Sequence, residues 1–527
     1  MVVLAAGPLT AQRPLPAWTR GATCYEVFVR SFKDSDGDGI GDLKGLIEKL
    51  DYIRSGKPGS RTDLGANCIW LMPVAESPSY HGYDVSDYYR IEKDYGTNDD
   101  FKRLMKEAHK RGIRVLVDMV LNHSSSEHPY FQAALHDTTS PYRAWYRWSP
   151  TRPSELNPWG QSNWHKSPVR DEWFYAFFWS GMPDLNYENP AVVAEAKKIA
   201  RFWLKDMGAD GFRLDAVSYL IEEPAHINHS PGTHRVLHEY GDYVRGLSPN
   251  SYTVGEVSDP TPVLYDYYPN QLDSYFAFEL ADSLVAAVNR GSAGGVLNPV
   301  LTLQQKAPEA HWSPFLRNHD QPRTLTELHG DVQKARVAAT LLLAMPGVPF
   351  VYYGEEIGMT GAKPDERLRT PMQWTNAAGG GFTTGKAWES FQADSAATTV
   401  SAQDADSTSL LNLYRRLIHT RSANVALGSG RLVPLTTADA GVVAFIRRSG
   451  THAVLAIANL SATAREGVTV TSDSGAVAKG RWDLRSLLDN TRANPVTVGA
   501  DGRIASFAPT GVLAPQTAYL FDLTAHH

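Results

Sequence analysis

Three carboxylates stand just past short apolar runs. Asp215 ends GFRLDAV, Glu256 ends YTVGEV and Asp320 follows PFLRNHD. A single Asp or Glu in such a place is commonly a helix N-cap. Three together could cleave a glycosidic bond. One carboxylate attacks the anomeric carbon, a carboxylic acid protonates the leaving oxygen, and in enzymes that retain configuration the two lie about 5 Å apart. The third can offset charge on an oxocarbenium-like transition state. Arg213 lies two residues before Asp215, on the same side of a strand, where its charge is expected to keep Asp215 ionised. Glu256 needs a raised pKa to carry a proton near neutral pH.

Such groups need a frame that brings strand ends to one rim. Short β-branched or aromatic runs alternate with longer helical patterns. Strands are expected at 25–30, 68–73, 114–119, 211–214, 252–255, 274–277, 312–316 and 348–352, and helices at 99–111 and 191–207 among others. Repeated strand–helix alternation means parallel strands with crossover helices. Eight of them predict an α/β fold of the (β/α)8 barrel type, with reacting groups at the C-terminal strand ends. A doubly wound open sheet is the competing topology, weakened by the lack of a GxGxxG turn after the first strand.

The alternation fails between His123 and about Asp184, a stretch rich in Trp, Pro, Ser and Tyr and too long for a simple loop. The expected organisation is a barrel over 18–123 and 185–430, an inserted domain over 124–184 and a C-terminal β-sandwich over 431–527. No starch-binding module is expected after it. Residues 1–17 read as an N-terminal segment that could include the remnant of a signal peptide, which favours a secreted or periplasmic protein over a cytoplasmic one.

A net charge of -6 gives phosphate backbones no attraction, so nucleic acid is not an expected partner. No apolar run is long enough to span a membrane, and a monomer is expected. Cys24 and Cys68 each sit in an apolar run. Buried free thiols are expected, with a disulfide between neighbouring strands as the alternative.

The loop Asp34-Ser-Asp36-Gly-Asp38-Gly-Ile40-Gly-Asp42 gathers hard oxygens around one point, which suits Ca²⁺ ahead of Mg²⁺. It is not an EF-hand, because Gly45 stands where the twelfth-position Glu should be. Its expected role is stability.

Several of these segments together resemble glycoside hydrolase family 13, the α-amylase family. They are Asp118-Met-Val-Leu-Asn122-His123, Met182-Pro-Asp184-Leu-Asn186, Gly211-Phe-Arg213-Leu-Asp215, Gly255-Glu256 and Asn318-His319-Asp320, in the family's order. The resemblance implies Asp215 as nucleophile, Glu256 as acid/base and Asp320 as transition-state stabiliser. It implies that His123 and His319 hydrogen-bond hydroxyls of the sugar being cleaved, that Tyr83 stacks on it, and that Asp84 lies near it. Arg369 would close one end of the pocket, unless it simply pairs with Asp365 or Glu366. For the acidic loop it implies structural Ca²⁺ on Asp34, Asp36, Asp38, Asp42 and the carbonyl of Ile40.

Ala216 after the nucleophile is similar to members acting on α-1,4 bonds, while Val217-Ser218-Tyr219 departs from typical endo-acting amylases. The substrate expected is starch or maltooligosaccharide. An α-amylase with some α-glucosidase or transglycosylating character is the leading expectation, and a trehalose synthase-type isomerase is the rival. Seven aromatic residues of the insertion (Trp145, Trp148, Trp159, Trp164, Trp173, Phe174, Trp179) are candidates for further sugar contacts, with packing as the alternative for most.

Overall fold

The computed structural model describes residues 12–223, 226–392, 396–489 and 491–526. Met1–Ala11, the core of the proposed signal remnant, lie outside the described residues. Eight parallel strands form one sheet: β1 (Cys24–Val27), β2 (Cys68–Leu71), β3 (Arg114–Met119), β4 (Gly211–Leu214), β5 (Tyr252–Gly255), β6 (Ser274–Phe276), β7 (Trp312–Ser313) and β8 (Phe350–Tyr352). β1 pairs with β2 and β8, and the others follow in chain order from β2 to β7. The amides of Val348 and Phe350 donate to the carbonyls of Trp312 (3.1 Å) and Pro314 (2.9 Å), joining the β8 end to the β7 end. The eight expected strands are all present, and the fold is a (β/α)8 barrel.

Helices α1 (Leu43–Ile53), α2 (Asn98–Lys110), α3 (Pro190–Arg201), α4 (Pro231–Leu247), α5 (Phe278–Arg290), α6 (Val332–Ala344) and α7 (Leu410–Ala423) surround the strands. α2 shows why they form. Thr97 and Asp100 make a capping box, and Phe101, Leu104, Met105 and Ala108 bury one stripe against the barrel. Between β5 and β6 the crossover holds only a 3₁₀ segment, Thr261–Tyr267.

Period-two alternation sorts the barrel interior into layers. Cys24, Cys68, Leu116, Tyr252 and Phe276 belong to an apolar cluster. One step further along β1, β3 and β4 come Glu26, Asp118 and Arg213, each almost fully buried. The register of β1 on β2 puts Cys24 directly beside Cys68. Their Cα atoms are 4.3 Å apart and the sulfurs are bonded. The expectation of free thiols is therefore corrected: adjacent parallel strands in this register bring both side chains to one point.

After β3 the chain leaves the barrel. A small antiparallel sheet forms there, with Trp173–Tyr175 between Trp148–Ser149 and Trp164–Lys166. The chain returns where Asp184 pairs with His123.

The C-terminal region is an antiparallel sheet of β9 (Arg431–Leu435), β10 (Val442–Ser449), β11 (His452–Asn459), β12 (Gly480–Ser486), β13 (Arg492–Val498) and β14 (Thr517–Ala525), in the order 9-10-11-14-12-13. Its two faces differ. Val442, Ala444 and Ile446 face a core shared with Val470, Ile504 and Phe507. Val443, Phe445 and Ala456 join the main core around the barrel. Two buried arginines hold the end of α6, Arg421 from α7 and Arg447 from β10 across the seam. Arg421 donates to the carbonyls of Leu343, Met345 and Gly347, and Arg447 to those of Ala344, Leu427 and Gly430. Several of these carbonyls are the orphan acceptors at the end of α6. No described helix is long and apolar enough to cross a membrane.

Candidate active site

The strand registers place the acids. Asp118 of β3 lies opposite Arg213 of β4, and Gly255 of β5 lies opposite Leu214, so Asp215 and Glu256 leave neighbouring strands at the same level. Arg213 is fully buried beneath them. Its Nη1 donates to Asp215 Oδ1 (2.7 Å) and Asp118 Oδ1 (2.9 Å), and its Nη2 to Glu256 Oε2 (2.5 Å). Asp215 and Glu256 are thus held apart by two hydrogen bonds and one guanidinium edge. Ala216 turns the chain away in a left-handed conformation, and its amide points at Glu256 Oε2 (3.4 Å).

Burial pushes the Glu256 carboxyl up to about 7, against Arg213 and with help from the negative charges of Asp215 and Asp320. Burial also lifts Asp215 to about 6, aided by Asp118 and outweighing Arg213. Arg213 acts in the expected direction, favouring the ionised form of Asp215, but burial outweighs it. Asp320 behaves in the opposite way. Burial acts to raise it, but His319, Arg369 and Arg213 overcome that and hold it well below the usual carboxylate range. Its side chain is 45% exposed at the mouth of the site.

His319 sits between two acids. Its Nδ1 lies 2.6 Å from Glu26 Oε1, and its Nε2 lies 2.7 Å from Tyr83 Oη and 3.2 Å from Asp320 Oδ2. Burial opposes its charge, yet Asp320 and Glu26 lift it to about 9, so it is an imidazolium at neutral pH. Tyr83 stacks on its ring (5.5 Å) and donates to Asp118 Oδ2 (3.0 Å). His123 is neutral, since burial drops it to about 4, and its Nε2 lies 3.1 Å from the Tyr83 carbonyl. Arg369 donates from Nη2 to Asp320 Oδ1 (2.8 Å) and also pairs with Asp365 (3.5 Å).

A cavity of about 440 Å³ is lined by Asp215, Glu256, Asp320, Tyr83, His123 and Arg369, among others. Arg213 and His319, both fully buried, stand behind these residues and are not among those that line the cavity. Asp84 is not among the lining residues, because its carboxylate accepts the hydroxyls of Ser77 (2.7 Å) and Ser79. Glu26 was missed in the sequence: inside the run TCYEVFV it reads as an ordinary strand residue, and its only signal is a charge at an inward position. Asp365 lines the cavity as well.

Away from the cavity, Asp34, Asp36 and Asp42 offer carboxylate oxygens within 4.8 Å of one another. Asp38 is outside this group, and its Oδ1 accepts the Ile40 amide (2.8 Å). Three of the five expected ligands thus cluster through their side chains. Asp34 is further tied to Thr383 Oγ1 and the amide of Gly39 (2.5 and 2.9 Å), and Asp42 caps α1 through Gly45. All-oxygen donors of this kind fit a hard cation.

The family model described as "Alpha amylase, catalytic domain" matches residues 26–430. The chain belongs to glycoside hydrolase family 13, the α-amylase family. Among similar proteins, "Alpha-amylase 3" of Dictyoglomus thermophilum is 38% identical over 448 residues, covering 84% of this chain and 85% of the relative. "Trehalose synthase/amylase TreS" of Mycolicibacterium smegmatis is 35% identical over 519 residues, covering 85% and 86%. The crystal structure of the alpha-amylase from H. orenii superposes with a TM-score of 0.83 at 39% identity, over 96% of this chain and 100% of that one. This member of the family carries its three strand-end carboxylates on one cavity.

Proposed function

We propose that this chain hydrolyses α-1,4-glucosidic bonds of maltooligosaccharides and starch with retention of configuration. The observation that carries the reading is the shared guanidinium, which holds Asp215 and Glu256 on one edge with unequal proton affinities. In the first step an Asp215 oxygen bonds to the anomeric carbon, the glycosidic C–O bond breaks, and Glu256 gives its proton to the leaving oxygen. In the second, water bonds to the anomeric carbon, the bond to Asp215 breaks, and the water proton passes to Glu256. Asp320, ionised throughout, faces the positive charge that builds on the sugar.

The Arg369 ion pairs with Asp320 and Asp365, all three among the lining residues, favour a second reading of specificity, an exo-acting α-glucosidase, in which this cluster blocks passage of a longer chain. A product time course on soluble starch, maltoheptaose and maltose, with the anomer followed by NMR, separates these. Intermediate oligosaccharides released as the α-anomer support an amylase. Glucose alone, with maltose cleaved as fast as longer chains, supports the glucosidase. Trehalose from maltose supports a trehalose synthase-type isomerase, and a first-formed β-anomer overturns the retaining mechanism.

The acidic loop is assigned a structural Ca²⁺ on Asp34, Asp36 and Asp42. Adding Ca²⁺ to chelator-treated protein should raise its melting temperature, and an Asp36→Ala variant should not respond. The Cys24–Cys68 bond supports an oxidising compartment, hence export.

A further inference from the structure

The catalytic cavity takes two aromatic residues of the insertion, Trp159 and Trp179, into its lining. A second cleft, of about 740 Å³, has no aromatic lining among the described residues and shares no residue with the first. It lies where the barrel meets the C-terminal sheet. Gln304 and Gln305 reach it from the helix Asn298–Lys306, Arg431 from β9, Arg448 from β10, and Ser474 from the segment between β11 and β12. The edge backbone here is closed to a further strand. The Leu432 amide and carbonyl are taken by the Gln304 side chain (2.6 and 2.9 Å), and Pro434 has no N–H to offer.

The sheet register brings two like charges together in this cleft. One face of β9 and β10 carries Leu435 opposite Ala444, Val433 opposite Ile446, and then Arg431 opposite Arg448. The apolar row of the outer core thus ends in two guanidinium groups. Like charges directly opposite one another destabilise a sheet unless something offsets them. On the far side of Arg448, β11 offers only Ala453. Beyond Arg431 there is no strand, because β9 is the edge. A second arginine pair in the same sheet is built differently. Arg485 of β12 stands opposite Arg492 of β13, but on its other side it stands opposite Asp522 of β14. Arg431 and Arg448 form no ion pair among the described residues. The one acid in the lining, Glu309, pairs with neither.

We propose that Arg431 and Arg448 form a binding site for a phosphoryl group, carried by a phosphorylated sugar or free as inorganic phosphate. Each planar guanidinium can give two parallel N–H bonds to phosphate oxygens. A dianion between the two turns a repulsive contact into an attractive one. The cleft is of a size that holds a small organic ligand, and the Gln305 amide and the Ser474 hydroxyl in its lining are suited to sugar hydroxyls. A ligand seated there touches a barrel helix and the C-terminal sheet at once, so its binding stabilises the folded chain.

The test is titration calorimetry and thermal melting with inorganic phosphate and with glucose 6-phosphate, at constant ionic strength so that general screening is fixed. The wild-type chain should bind and its melting temperature should rise. Arg431→Gln and Arg448→Gln should each bind about ten-fold more weakly or worse. Without phosphate they should melt no lower than wild type, because the like-charge contact is relieved. Arg485→Gln removes the same charge elsewhere in the sheet and should keep full affinity. Glu309→Gln takes the acid out of the lining and should tighten binding. Tighter binding of glucose 6-phosphate than of phosphate supports the proposal with the sugar ester as ligand, and equal binding supports it with the free ion. No binding of either at about 10 mM, well above a millimolar Kd, overturns it. So does an equal loss in Arg485→Gln, which marks a general charge effect. A cleft variant that melts lower and keeps its affinity assigns the arginines to structure alone and overturns it as well.

Discussion

At the scale of single residues, burial of Asp215 and Glu256, opposed by Arg213, decides the pH dependence that the proposed mechanism predicts. Asp215 must be ionised to attack and Glu256 protonated to give its proton. With Asp215 at about 6 and Glu256 at about 7, kcat/KM should follow a bell whose limbs lie near those values and belong to the pair jointly. In Glu256→Ala acting on α-D-glucosyl fluoride, which needs no acid, the alkaline limb should disappear from the rate profile. Glu26 is predicted to matter though it does not line the cavity. It holds the charge on His319, and Glu26→Gln should lower kcat/KM by about 10- to 100-fold, the value of a buried charge-assisted hydrogen bond. NMR titration of His319 in that variant should show its pKa falling from about 9 towards the ordinary histidine value. The charged His319 contributes stability that is complete below about 6.5 and is lost as pH rises through about 9. That Asp215, Glu256 and Asp320 share one rim was legible in the sequence because each follows a short apolar run of strand character. What Asp84 and Glu26 face was not, since it is decided by Ser77 and by His319, partners that sequence spacing does not reveal.

At the scale of elements, strands and helices were legible because apolar periodicity decides them locally. The pairing of Cys24 with Cys68 was not, because it depends on the register of two strands 44 residues apart. The seam between α6 and the C-terminal sheet was also hidden. Arg447 satisfies backbone carbonyls rather than acids, so no charge pattern announces it. Arg447→Met leaves the carbonyls of Ala344, Leu427 and Gly430 without that donor. It should cost about 3 kcal/mol of stability, read as a lower denaturant midpoint with the catalytic pH profile unchanged.

At the scale of the whole molecule, the Cys24–Cys68 bond closes a loop through the first two barrel strands. Chain-entropy arguments assign such a loop up to about 4 kcal/mol. Cys24→Ala/Cys68→Ala should lower the unfolding free energy by no more than this, and a reducing agent should have no effect on the double variant. The order of the C-terminal sheet has a further consequence. β14 lies between β11 and β12, so the sheet stays in two pieces until Thr517–Ala525 have left the ribosome. One of those pieces supplies the wall against which the outer helices of the barrel pack. A growing chain that already holds Asp215, Glu256 and Asp320 therefore waits with an apolar flank uncovered. Chaperone binding to the nascent chain is expected to be strongest in that interval, before Thr517–Ala525 join the sheet, and ribosome profiling of chaperone-bound chains would check it.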